Sequence, residues 1–97
     1  MTVTVGSAAT FTCTITDSPE PCFRWRYRAA ESRLYERLYF GDSLAPGCKC
    51  NVTFSNYRRT SSLTINNVQL TDAGLYTCSD CWTKNDADAE LSVIGNK

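Results

Sequence analysis

Histidine is absent from the sequence, which removes the commonest general base and the commonest metal ligand. No Gly-rich phosphate loop and no nucleophile elbow occur. Paired carboxylates exist, Asp86 and Asp88, but an exposed strand offers nothing to raise one pKa for acid–base work. Neither an enzyme nor a bound cofactor or metal is expected. There is no excess charge of either sign: ten Lys+Arg stand against ten Asp+Glu. That balance argues against a general nucleic-acid binder or a polybasic membrane binder. No apolar run approaches the ~18 residues of a bilayer span, and no secretory leader is present. Met1 sits directly before strand-like sequence and reads as the start of a trimmed fragment, so any membrane attachment would come from a segment outside it. Repeats, linkers and low-complexity stretches are lacking, and 97 residues leave room for one domain, 1–97.

What the chain has in abundance is cysteine: six. So many in so short a chain indicate an oxidising, extracellular setting and a disulfide framework. Six cysteines allow fifteen connectivities. The competing reading is structural zinc, because Cys22 with Cys48 and Cys50, or Cys78 with Cys81, offers spacings zinc can use. Zinc knuckles sit at the tips of tight turns, however. Here Cys78 ends an apolar strand pattern and Cys13 lies alone inside another.

The hydrophobic period is two. Val3 and Val5, then Ala9, Phe11, Cys13 and Ile15, alternate with Thr and Ser, the pattern of half-buried strands. Turn residues follow at 17–21. Phe23, Trp25 and Tyr27 then alternate with Arg24, Arg26 and Arg28. Further strands are expected over 34–40, 51–57, 63–68, 74–79 and 87–94, with a loop over 41–47. Seven or eight short strands without a helical stripe predict an all-β sandwich.

Cys13, Trp25, the run Leu63-Thr64-Ile65 and the motif Asp72-Ala73-Gly74-Leu75-Tyr76-Thr77-Cys78 resemble the signature of the immunoglobulin superfamily, variable type. The resemblance extends over nearly the whole chain, 3–94. It implies a two-sheet Greek-key sandwich in which Cys13 and Cys78 form the inter-sheet disulfide and Trp25 packs on it. Tyr76 takes the tyrosine-corner role, its hydroxyl bonding backbone near Asp72. The chain between Trp25 and Cys78 is long enough for the C′ strand and short C″ segment of variable types. Three departures stand out. Strand G (87–94) lacks the Phe-Gly-x-Gly bulge of rearranging receptors. Asn51 stands where the basic partner of Asp72 is expected, so Lys49 or an arginine of Arg58-Arg59 is the substitute. The first strand is reduced to its A′ half, 2–5.

Within that fold Cys22 precedes strand C and Cys81 follows strand F at the same end, so Cys22–Cys81 is the expected second bridge. By elimination Cys48 and Cys50 bond each other as a loop staple, or else serve an inter-chain link or a redox site. With Trp25 and Tyr27 inward, Arg24, Arg26 and Arg28 face outward, joined by Arg33 and Arg37 on C′ against Glu31 and Glu36. Asp80, Asp86, Asp88 and Glu90 lie on the F–G side, so the G-F-C-C′ face should be basic on one half and acidic on the other. The competing reading is a solvated face with local salt bridges. Tyr39 on C′ and Trp82 in the F–G loop are interface candidates, each with the alternative of packing inward. Asn51-Val52-Thr53 is an N-glycosylation sequon.

The resemblance implies the ectodomain of a non-rearranging immune or cell-surface receptor. It would bind a protein ligand or counter-receptor through the G-F-C-C′ sheet and the BC and FG loops. Two alternatives are a homophilic adhesion domain that dimerises through the same face, and a secreted glycan reader stacking sugars on Trp82 and the C′ tyrosines.

Overall fold

The computed structural model describes residues 1–16, 21–81 and 86–95. They form nine strands: β1 (Thr2–Thr4), β2 (Ala9–Thr14), β3 (Phe23–Ala29), β4 (Glu36–Phe40), β5 (Ser43–Leu44), β6 (Cys50–Ser55), β7 (Thr60–Ile65), β8 (Gly74–Asp80) and β9 (Asp86–Ile94). A 3-10 turn, Leu70–Asp72, precedes β8. One sheet has the order β1-β9-β8-β3-β4-β5 and the other β2-β7-β6. β1 runs parallel to β9; the other pairings are antiparallel. This is the two-sheet sandwich expected from the period-two pattern. The loop expected over 41–47 holds the additional short strand β5.

Alternation sets the layers. In β2 the side chains of Ala9 and Phe11 are buried while Thr10, Thr12 and Thr14 are exposed. Its partner β7 buries Ser61, Leu63 and Ile65. Between the sheets lie Phe23, Trp25, Leu63, Val68, Tyr76, Cys78 and Leu91, each at most 3% exposed. Phe11 of one sheet stacks on Tyr76 of the other, with centroids 4.8 Å apart. Trp25 brings an indole N–H into this apolar layer, and it donates to Ser61 Oγ at 2.9 Å. Burying a polar group costs least with such a partner.

The bridge Cys13–Cys78 crosses the same layer, with Cα atoms 6.4 Å apart and 65 residues of separation. In the chain-entropy treatment it removes about 4 kcal/mol of denatured-state freedom. Tyr76 donates its hydroxyl to the Asp72 carbonyl at 2.7 Å. Asp72 itself accepts from the Gln69 backbone at 2.7 Å and from Lys49 Nζ at 2.6 Å. Lys49 is therefore the basic partner in place of Asn51. Gly74 has φ +149°, and a Cβ there would collide with the Arg28 carbonyl. The motif needs glycine because β3 and β8 close on each other at the Ala29–Gly74 pair.

Candidate recognition face

The register of four strands builds the outer face of the larger sheet. Across β3, β8 and β9 the rows read Arg24–Ser79–Asp86, Arg26–Thr77–Asp88 and Arg28–Leu75–Glu90. On the far side of β3, Phe40 lies opposite Arg24 and Arg37 opposite Arg26. Charge is thus sorted by strand. Arginines occupy β3, β4 carries Arg37 beside Glu36, carboxylates occupy β9, and an uncharged β8 column separates β3 from β9. Neighbouring strands lie about 4.8 Å apart, so the basic and acidic columns sit roughly 10 Å from each other.

Local contacts hold this arrangement. Arg26 reaches over β8 to Asp86, Nη2 to Oδ2 at 3.4 Å, the one ion pair on this face among the described residues. Arg24 Nε donates to Ser79 Oγ at 3.0 Å, and the Thr77 hydroxyl donates to Asp88 Oδ1 at 2.9 Å. The Arg26 and Arg28 guanidiniums lie over the Tyr35 ring at 4.7 and 5.4 Å, cation–π contacts that keep both heads at the surface. Arg26 Nε is buried with no hydrogen-bond partner. Arg33 and Arg37 are exposed. Exposed Tyr35, Phe40 and Leu44 add apolar area to the basic half. Beyond the Arg28–Glu90 row the face opens into a groove of about 800 Å³ lined by Arg28, Arg33, Leu75 and Glu90.

Two expected members of the face lie elsewhere. Tyr39 is 6% exposed, pairs with Trp25 and donates its hydroxyl to the Gly41 carbonyl at 2.7 Å. The cause is a bulge: Trp25 pairs with Tyr39 but Arg26 with Arg37, leaving Leu38 as the extra residue. A one-residue slip exchanges the two sides of a strand, so Tyr39 turns inward and Phe40 outward. Asp80 is 5% exposed. β8 runs one residue beyond the expected 74–79, and Asp80 shares the inward parity of Tyr76 and Cys78. Trp82 lies outside the described residues. With Tyr39 buried, sugar stacking on the C′ tyrosines is reduced to Tyr35.

The cysteines brace both ends. Cys22–Cys81, with Cα atoms 5.3 Å apart, ties the approach to β3 to the exit of β8, and Cys81 N–H donates to the Cys22 carbonyl at 2.9 Å. Cys48–Cys50 closes a small ring around Lys49, with Cα atoms 5.2 Å apart. Every cysteine is paired with another. Lys49, held by this ring, also donates to the Asn67 carbonyl at 3.0 Å.

Buried phenols are the perturbed titrating groups. Burial pushes the Tyr76 hydroxyl above the ordinary value of 10.0, and the nearby Tyr27 and Asp72 add to the effect. Tyr27 is raised by burial and then by the charges of Asp72 and Glu36. Tyr39 is raised by burial against the opposing pull of Arg58. These are packing groups beneath the sheet. The arrangement supplies shape and charge for binding.

The sandwich as a whole has known counterparts. The family model described as the immunoglobulin I-set domain matches residues 1–93. A protein of Gallus gallus, described as V-set and immunoglobulin domain-containing protein 1, is 36% identical over 103 residues, covering 97% of this chain and 30% of the relative. The chain thus spans under a third of the length of that relative. Among solved structures, the crystal structure of the RIG-5 IG1 homodimer superposes with a TM-score of 0.80 at 22% identity, over 97% of this chain and 88% of that one. The matched description is I-set where the sequence resemblance pointed to the variable type, and the relative's own name carries V-set.

Proposed function

Because the chain belongs to the immunoglobulin I-set family, a family of protein-recognition domains, we propose that it is the ligand-binding domain of a cell-surface receptor or coreceptor. Its disulfides and family support an extracellular or cell-surface setting. The partner is a protein, engaged by the outer face of the β1-β9-β8-β3-β4-β5 sheet together with the loops at the Cys22–Cys81 end.

One observation carries this reading: the separation of charge into columns on that face. Electrostatic complementarity steers encounter and selects partners more than it adds affinity. An arrangement with basic β3, acidic β9 and exposed Phe40 and Leu44 has both a steering field and an apolar anchor. The other outer face has neither, being built of threonine, serine and asparagine.

The test is a binding screen against an array of animal ectodomains. Wild-type chain should bind a protein saturably. The pair Arg26→Glu and Arg28→Glu should lose that binding at least tenfold, while Thr12→Lys on the opposite face leaves it unchanged. Binding that survives the double reversal sinks the assignment of the face.

A second reading, homophilic adhesion, is favoured by the bipolar layout. A two-fold axis on this face would set Arg37 on β4 of one copy against the carboxylates of β9 on the other. The neighbour of similar fold is described as a homodimer. Sedimentation at low and high salt separates the readings: salt-sensitive dimers support self-adhesion, and a monomer at high concentration excludes it.

A further inference from the structure

The second outer face, on the β2-β7-β6 sheet, has a composition unlike that of the charged face. Its rows read Thr10–Thr64–Asn51, Thr12–Ser62–Thr53 and Thr14–Thr60–Ser55. None of these nine side chains is charged and none is large and apolar. Hydroxyl pairs cross it at 3.0, 3.3 and 3.0 Å, joining Thr10 to Thr64, Thr12 to Ser62 and Thr14 to Thr60.

Such a face is a liability for a free domain. β6 is the edge of its sheet, and its six residues, Cys50 to Ser55, include no charge and no proline. Natural edge strands usually carry one of those devices against pairing with another chain. Net charge gives no protection either. The formal charge is zero and the pI about 6.1, so repulsion between copies is near its minimum at neutral pH.

Asn51 supplies the missing device. It is exposed on β6, and Thr53, the hydroxyl residue of its sequon, is exposed two positions along on the same face. We propose that Asn51 carries an N-linked oligosaccharide that shields this face and the β6 edge. The transfer forms a bond from the Asn51 amide nitrogen to the anomeric carbon of a lipid-pyrophosphate-linked oligosaccharide. The anomeric carbon–oxygen bond breaks, the lipid pyrophosphate leaves with its electron pair, and the amide nitrogen gives up one proton. A hydrated glycan replaces charge as the source of repulsion, and it leaves the opposite sheet free.

The experiment directs the chain into the secretory pathway of animal cells and treats the secreted protein with peptide-N-glycosidase. Expected is a fall in mass by one oligosaccharide with conversion of Asn51 to aspartate. Asn51→Gln and Thr53→Ala should both emerge already at the lower mass. An unchanged mass of the wild-type chain overturns the site. Shielding is read by light scattering at matched concentration. Asn51→Gln should associate at least severalfold more than wild type, insensitive to salt, since the exposed face is uncharged. Thr53→Lys also lacks the glycan but places a charge on the edge strand, and it should stay as dispersed as wild type. Should Asn51→Gln remain as dispersed as wild type, or Thr53→Lys associate as Asn51→Gln does, the shielding role is refuted.

Discussion

Ser61 looks like an unremarkable residue of a serine- and threonine-rich strand, yet replacing it with alanine should unfold a sizeable fraction of this domain's margin. Its side chain is 0% exposed and accepts the Trp25 indole N–H at 2.9 Å, while Trp25 is 2% exposed. Ser61→Ala leaves that N–H in an apolar layer with no acceptor, at a cost of about 1–3 kcal/mol. The void left by one oxygen adds little. For a domain near 100 residues, about 2 kcal/mol corresponds to a melting point lowered by roughly 8–16 °C. Ser62→Ala is the matched control, because Ser62 pairs at the surface with Thr12 at 3.3 Å; its effect should stay within about 0.5 kcal/mol. Urea unfolding followed by circular dichroism gives both values, with an unchanged denaturant slope expected. A cycle with Trp25→Phe isolates the cause. Phenylalanine brings no donor, so Ser61→Ala should cost clearly less on that background. Equal cost on both backgrounds, or a Ser61 effect no larger than that of Ser62, refutes the reasoning.

Two further outcomes are expected. Replacing Cys22 and Cys81, 59 residues apart, by alanine should cost about 4 kcal/mol, whereas the Cys48 and Cys50 pair, two apart, should cost about 1.5 kcal/mol in loop entropy; comparable midpoints in urea would contradict this. Burial holds the Tyr76 proton in the folded chain while an unfolded tyrosine ionises near 10.0, so stability should be full below pH 10 and fall as pH rises above it. Tyr76→Phe loses about 1 kcal/mol at neutral pH with the bond to Asp72, and its alkaline decline should be shallower than that of wild type; a steeper one would overturn the assignment.

The sandwich was legible because its defining residues are tied to backbone geometry. Cys13, Trp25 and Tyr76 each occupy inward positions of strands whose pairing registers, β2 with β7 and β3 with β8, run without a shift. Asp72 and Gly74 belong to a turn that needs a carboxylate and a residue without Cβ. The charge columns followed from the same alternation in β3. Tyr39 escaped it because Leu38-Tyr39-Phe40 is an unbroken apolar run, in which parity cannot say which side is inward. The bulge at Leu38 settles the matter through pairing with β3. Asp80 was misplaced by one residue of strand length. Its identity as a charged residue suggested the surface, while its parity with Cys78 pointed inward. The identity of the Asp72 partner stayed open between Lys49 and the arginines for a different reason: it depends on how the Cys48–Cys50 ring turns the chain. The hydroxyl face is visible as Thr-x-Thr-x-Thr and Thr-x-Ser-x-Thr, but only the register of β2, β7 and β6 shows that these runs share one surface with the sequon.

The parallel pairing of β1 with β9 bears on how the domain would respond to tension. A load entering at β1 and leaving at the end of β9 tries to slide the two strands along each other. Their hydrogen bonds, Thr2 beside Ser92 through Thr4 beside Ile94, then share the load together instead of opening one after another from an end. Once they yield, Cys13–Cys78 prevents the chain between those cysteines from paying out. A domain joining two surfaces would therefore lengthen by a fixed step under pull, with β3 and its arginines held behind the bridge while β9 and its carboxylates lie outside it.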